Sequence, residues 1–147
     1  MTWRELEQQR RVAKEPTTKS EIDELRALAD RNLQDAALPQ LSADGRFSMA
    51  YNTARTLAIV VIRAAGYRVK PTGGAHYNTF LALPLAMGLN LETLAAYFDQ
   101  CRQSRNDLLY EAASVVSDSD AKELFDKVTG FRRSVEEWLS ANHASLI

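Results

Sequence analysis

Apolar residues recur at spacings of three and four along most of the chain, which is the pattern of helices packed on one face. No stretch sustains the alternation of apolar and polar positions that indicates a half-buried strand. A chain of 147 residues has the usual size of one domain with a full core. The pattern therefore predicts a single all-α domain, residues 1–147, folded as an up-and-down bundle of five or six helices.

Helix-breaking and capping residues divide this pattern into six predicted helices. They span residues 3–14, 20–37, 42–66, 76–87, 91–113 and 121–139. The first has a thin apolar stripe, Trp3 and Leu6, so we expect residues 1–18 to form a peripheral segment that frays or docks on a partner. The third is apolar nearly all round at residues 59–62, which favours a central position in the bundle over contact with a partner subunit.

Composition excludes several classes of protein. Hydrophobic residues make up 46% and charged residues 25%, as in a folded soluble protein, and the net charge of −1 argues against a general nucleic-acid binder. The single cysteine, Cys101, lies on an apolar stripe, so a buried thiol is favoured over a nucleophile. The start of the chain is charged, and the longest apolar run, residues 57–62, is too short to cross a bilayer. These features predict a cytoplasmic protein without a membrane partner.

The charges are unevenly distributed along the chain. No Asp or Glu lies between Gly45 and Leu91, a segment that contains five basic residues. They are Arg46, Arg55, Arg63, Arg68 and Lys70. Such a segment can form a local basic surface that attracts a phosphate-bearing ligand. The alternative, somewhat favoured, is that these side chains pair with acids from other helices, such as Glu21.

The helix predicted at residues 91–113 has an arginine, Arg105, in the middle of its apolar face. A guanidinium on the core-facing side of a helix is costly unless an anion, a carbonyl or a carboxylate receives it. The other polar residues that mark this candidate site are Arg102, Asn106 and Tyr110. Internal pairing of Arg105 with Asp99 or Asp107 is the alternative, and the sequence leaves it open.

Three short segments carry a resemblance to a known family. GYR at residues 66–68, HYNTF at 76–80 and RQSRN at 102–106, followed by Tyr110, resemble the HEPN superfamily over residues 44–111. These are small all-α proteins of prokaryotic toxin–antitoxin, CRISPR-associated and other defence systems. Their hallmark is an arginine, usually followed by a polar residue, with a histidine four to six residues later. In active members a homodimer joins two such motifs into a cleft that cleaves RNA without a metal.

On this resemblance, Arg105 matches the motif arginine and Asn106 the polar residue, whereas Tyr110 stands where the family has histidine. The resemblance implies that these three residues are catalytic in an active member. It implies a second set of residues that contact RNA or phosphate: Arg102, Arg68, Lys70 and His76. It also implies a homodimer, an antitoxin or nucleotidyltransferase as possible protein partner, and neither metal nor cofactor.

The tyrosine at position 110 leaves three functions open. A phenol with a pKa near 10 is a poor general base at neutral pH, whereas it can bind a phosphate or stack on a base. Binding of RNA or nucleotide phosphate without cleavage is therefore favoured. The alternatives are an active, metal-independent endoribonuclease toxin, with Tyr110 or His76 as base, and a non-catalytic structural dimer or adaptor. For His76 itself, a role at the start of a helix or in solvent is favoured over one in the cleft.

Overall fold

The computed structural model describes residues 1–110 and 116–147, with side chains described up to residue 106 and from residue 116 onward. The all-α prediction is confirmed, because six helices account for most of the described chain. The helices are α1 (Trp3–Gln8), α2 (Lys19–Ala36), α3 (Ala43–Ala64), α4 (Ala75–Met87), α5 (Glu92–Tyr110) and α6 (Asp118–Asn142). Two short strands, β1 (Val12–Lys14) and β2 (Tyr67–Val69), and 3-10 turns at Leu89–Leu91 and Ala144–Leu146 complete the described elements. None of these described helices is long and apolar enough to cross a membrane.

Helix α3 lies at the centre of the bundle, as predicted from the apolar residues that nearly surround it at positions 59–62. It packs against α2, α6, α4 and α5, and thirteen of its residues are buried. Small side chains at Ala50, Ala54 and Ala58 are fully buried, which permits the close approach of neighbouring helices. Cys101 is buried, as its place on the apolar stripe predicts, and burial raises the pKa of its thiol to about 11.

The prediction for the N-terminal segment is wrong in two respects. The first helix ends at Gln8 instead of residue 14, and β1 then pairs antiparallel with β2, with Val12 opposite Val69. The segment also packs on its own chain instead of fraying, because Leu6 and Val12 are both fully buried in a small second core. On a continuous helix these two side chains would point roughly a third of a turn apart. The turn at Arg10, with φ of 60°, allows both to face inward.

The connection from α3 to α4 determines where the candidate site forms. Gly66, with φ of 92°, follows α3 and leads into β2, as expected of a glycine in the left-handed conformation after a helix. Gly74, with φ of 89°, then precedes the first residue of α4, and no side chain caps this helix. The start of α4 packs beside the middle of α3, where His76 contacts Tyr51.

Candidate functional site

Three helices bring basic and aromatic side chains into one cleft of about 430 Å³. Helix α3 contributes Arg55, the start of α4 contributes His76 and Tyr77, and α5 contributes Arg102 and Asn106. Two further side chains of the same helices lie beside it: Tyr51, one turn before Arg55, and Arg105. We call this group the arginine cleft. Arg55 comes from α3, whereas Arg102 and Arg105 are one turn apart on α5, so the proximity of Arg55 to the other two is a result of the fold.

Arg105 lies against an aromatic ring, and none of the described carboxylates forms an ion pair with it. Its guanidinium carbon is 5.3 Å from the centroid of the Tyr51 ring, a cation–π distance. Its Nε is buried and has no hydrogen-bond acceptor among the described residues. Asp99, on the same helix as Arg105, forms its ion pair with Arg102 instead: its Oδ1 accepts a hydrogen bond of 2.7 Å from Nε of Arg102. The other expected acid, Asp107, has its side chain outside the described residues.

Arg55 repeats this arrangement from the opposite helix. Its Nε is also buried and lacks an acceptor within the described part of the chain. Burial lowers the pKa of Arg55, and the positive charge of the neighbouring Arg105 lowers it further. Two half-buried guanidinium groups thus lie close enough to repel each other, and no described carboxylate forms an ion pair with either of them. An anion bound here would neutralise the repulsion and supply the missing acceptors.

Tyr51 and His76 form a hydrogen-bonded pair within the cleft. The Tyr51 hydroxyl lies 2.9 Å from Nδ1 of His76, and the tyrosine is fully buried. Burial lowers the pKa of His76 to about 4, and the charges of the three cleft arginines act in the same direction. Burial also raises the pKa of Tyr51 to about 12. Both groups are therefore neutral near pH 7, and the positive charge of the cleft comes from its arginines.

The first turn of α4 adds peptide dipoles to the same cleft. The Ala75 N–H donates to the Thr72 carbonyl, and the Asn78 N–H donates to the Gly74 carbonyl. The N–H groups of His76 and Tyr77 have no acceptor within their own helix, because they lie in its first turn. Unpaired N–H groups at a helix start attract anions and favour negative charge.

The structure separates the predicted site residues into two groups. Arg102, Arg105, Asn106 and His76 come together at the cleft, whereas Arg68 and Lys70 are not among the residues that line it. Asn106 contributes one wall. The Tyr110 side chain lies outside the described residues.

Arg68 belongs instead to a second basic group, which we call the arginine clamp: Arg63 and Arg68 with Glu15 and Glu21. Arg68 pairs with both glutamates, and its Nη2 lies 2.9 Å from Oε2 of Glu21. The expected pairing of basic residues with acids of other helices therefore occurs here. Lys70 follows β2, and its backbone N–H donates to the Arg11 carbonyl.

Two residues of the cleft, Tyr51 and Arg55, were missing from the predicted site. Tyr51 lies on the apolar face of α3, where an aromatic side chain is expected to serve the core. Arg55 was visible only as one basic residue of the acid-free segment. The spacing of four between them places both on one face of the helix, which was the available signal.

Comparison with family models, with curated proteins and with solved structures gave no match for this chain. The likeness to HEPN proteins therefore rests on its sequence segments alone, and the functional argument rests on the geometry of the cleft.

Proposed function

We propose that this protein is a HEPN-like, RNA-associated protein of a prokaryotic toxin–antitoxin or defence system, which binds the phosphate of RNA or of a nucleotide in the arginine cleft. The observation that carries the proposal is the pair of buried Nε atoms on Arg55 and Arg105, which lack acceptors among the described residues. Buried donors without acceptors are uncommon in folded proteins and call for a ligand or an ordered water.

A phosphate group supplies the negative charge and the hydrogen-bond acceptors that the arginines of this cleft lack among the described residues. Its oxygens accept charge-assisted hydrogen bonds, and a guanidinium can grip two of them in a planar fork. The cleft lies in a chain of net charge −1, so attraction is local and directs the anion to this place instead of to the whole surface. Among the described residues no acid pairs with Arg105, and Asp99, on the same helix α5, is bonded to Arg102.

An aromatic side chain at the rim favours a nucleic-acid ligand over a simple anion. Tyr77 is 42% exposed, and the guanidinium carbon of Arg102 lies 5.9 Å from its ring centroid. Exposed aromatic rings beside basic groups are the usual platform on which unpaired bases of single-stranded RNA stack. The proposal therefore assigns phosphate contact to the arginines and base contact to Tyr77.

The test is binding of a labelled single-stranded RNA in EDTA, measured by fluorescence anisotropy over a range of salt concentrations. Arg105→Met removes the charge and keeps the apolar stem, and we expect it to weaken binding by about tenfold or more and to lower the salt slope by about 1. Arg133→Met is the matched control, because Arg133 is exposed on α6 and its loss changes net charge equally. Equal effects of the two variants would overturn the proposal.

A second function, metal-independent RNA cleavage, is favoured by one observation: the cleft contains an imidazole although the HEPN motif position has tyrosine. His76 is neutral near pH 7, so it can accept a proton from a ribose hydroxyl while Arg105 stabilises the charge that develops on phosphate. Its low pKa makes it a weak base, which is why binding is the first proposal. If cleavage occurs in EDTA, His76→Asn and Arg105→Met should each abolish it. Binding without cleavage by the folded wild type excludes this function.

The family resemblance also leads us to propose a homodimer, with an antitoxin or a nucleotidyltransferase as possible protein partner. Light scattering coupled to gel filtration measures the mass of the purified protein directly. A mass near twice 16.5 kDa is the expected result, and a monomer at all concentrations contradicts it.

A further inference from the structure

The number of charges in the arginine cleft indicates what kind of phosphate it suits. Arg55, Arg102 and Arg105 provide three positive charges, and the Arg102–Asp99 ion pair offsets one of them. The described part of the cleft thus has a net charge of about +2, since His76 is neutral near pH 7. An internal phosphodiester of RNA carries one negative charge, whereas a terminal phosphate carries about −1.5 to −2 at pH 7.

The hydrogen-bond donors of the cleft also exceed what a phosphodiester uses. Nε of Arg55 and Nε of Arg105 lack an acceptor among the described residues. The N–H groups of His76 and Tyr77 lie in the first turn of α4 and have no acceptor within that helix. A phosphodiester within a chain has two unesterified oxygens, whereas a terminal phosphate has three strong acceptor oxygens. The larger set of acceptors satisfies more of these donors.

The shape of the cleft is consistent with an end of a chain. The loop at residues 71–74 lines one side, and Arg102 and Asn106 of α5 line another. Tyr51, which is fully buried, closes the cleft beneath the ring of His76. Exposed Tyr77 lies at the rim, within 5.9 Å of the guanidinium carbon of Arg102, so a base attached to a phosphate held by the arginines could reach this ring.

We infer that the arginine cleft is selective for a terminal phosphate, a monoester dianion on an RNA end or a mononucleotide, with the attached base against Tyr77. This inference rests on the proposed function, since it specifies which phosphate the same cleft binds. It adds a discrimination that phosphate binding alone does not require: an RNA with hydroxyls at both ends binds weakly, although its internal phosphates are the same.

The experiment uses three oligoribonucleotides of one sequence, with a 5′-phosphate, a 3′-phosphate or hydroxyls at both ends, as competitors against a labelled strand in EDTA. We expect at least one phosphorylated end to bind about tenfold more tightly than the hydroxyl form. Arg55→Met and, separately, Arg102→Met should reduce this ratio toward one, whereas Arg133→Met should leave it unchanged. A nucleoside monophosphate in the same competition distinguishes the two sources, because it competes well only if one base and its phosphate suffice.

The outcomes separate this inference from the proposal beneath it. If all three strands bind equally and binding still depends on Arg105, the cleft binds RNA phosphate and the terminal selectivity is wrong. If none of the strands and no mononucleotide binds to the folded protein, both are wrong. A melting curve of each variant confirms that a lost ratio comes from the cleft and not from unfolding.

Discussion

Two arginines on α3, Arg55 and Arg63, lie about two turns apart and have opposite surroundings. Arg63 is 2% exposed and fully bonded: its Nε donates to Glu21, and its Nη atoms donate to the carbonyls of Glu15, Pro16 and Tyr67, at 2.8 to 2.9 Å. Arg55 has a buried Nε without a described acceptor and faces a second arginine, Arg105. One side chain is fully paired within the protein, and the other has a buried donor that no described residue receives.

The difference shows that the acids of the N-terminal part decide the role of each arginine. Glu15 and Glu21 both pair with Arg63 and Arg68, so they hold the segment before α2 against the end of α3. The cleft contains one described acid, Asp99, which is bonded to Arg102. Basic residues from one acid-free stretch of sequence thus become stabilising in one place and available to an anion in the other.

The largest expected effect comes from the clamp. Arg63→Ala should destabilise the protein by about 3–5 kcal/mol, because it removes a buried guanidinium that pairs with Glu21 and donates to the carbonyls of Glu15, Pro16 and Tyr67. Glu21 keeps its bonds to Thr17 and Arg68. Urea unfolding followed by circular dichroism measures the change in free energy of unfolding. Arg63→Lys should restore only part of it, since one ammonium cannot replace the planar fork.

The control for this prediction is an exposed ion pair. Arg132 pairs with Asp30, and the arginine side chain is 39% exposed, so Arg132→Ala should cost at most about 1 kcal/mol. If Arg63→Ala lowers the free energy of unfolding by no more than Arg132→Ala does, Arg63 does not stabilise the fold in the way proposed for the clamp.

A smaller effect on stability, which appears only when an anion is added, is expected in the cleft. Arg55→Met and Arg105→Met should leave the free energy of unfolding within about 1 kcal/mol of the wild type, because each removes a repulsion as well as a charge. Sulfate, a dianion of tetrahedral shape, should stabilise the wild type further, by about 2–3 kcal/mol if it reaches one hundred times its dissociation constant.

The comparison of variants separates specific binding from the general stabilising effect of sulfate. That general effect should be equal in the wild type, in Arg133→Met and in both cleft variants, since it acts on the whole surface. Only the additional part depends on Arg55 and Arg105. Loss of that part in Arg133→Met as well would show that sulfate does not bind in the cleft.

The sequence predicts the local features of this molecule well and the distant pairings poorly. The position of Arg105 on the core-facing side of a helix followed from helical spacing alone, and Gly66 at the end of α3 followed from its conformational freedom. Pairing of the basic segment with acids such as Glu21 was expected, but which arginines would pair was not, because this depends on Glu15 and Glu21, which lie more than forty residues from Arg63. No local pattern records which acids the fold places near which arginine.

The same limit explains the two other differences. Strand β1 is only three residues long, which is too short to show a sustained alternation of apolar and polar positions. It is defined by its pairing with β2, more than fifty residues along the chain, and no local pattern predicts that pairing. His76 was expected at a helix start, and it lies there, but its bond to Tyr51 joins positions twenty-five residues apart. The role of an imidazole in the cleft could be read only from the assembled helices.

The smallest expected effect is the pH dependence of the free energy of unfolding, which should differ between the cleft and the clamp. The pKa of His76 is lowered from 6.5 to about 4 in the folded protein. Between pH 6.5 and pH 4 the unfolded chain therefore binds a proton at His76 that the native state does not bind. Stability should therefore fall as the pH falls from about 6.5 to about 4. We expect a loss of about 1–2 kcal/mol, less than the full shift implies, because the cleft is partly open to water. His76→Asn should remove this component.

The clamp loses stability at a lower pH than the cleft. The Thr17 hydroxyl, with Arg68 and Arg63, lowers the pKa of Glu21 from 4.5 to about 2, so the contribution of Glu21 to the free energy of unfolding is lost only as the pH falls through that range.

Sulfate tests whether the anion binds beside His76, because the charge of sulfate is constant between pH 4 and 7. The imidazole of His76 faces Tyr51 and Arg55 on α3 and Arg102 and Arg105 on α5, and a dianion among these arginines should raise its pKa. NMR titration of the His76 ring, assigned with His76→Asn, measures that shift. A pKa unchanged by sulfate would mean that the anion binds elsewhere.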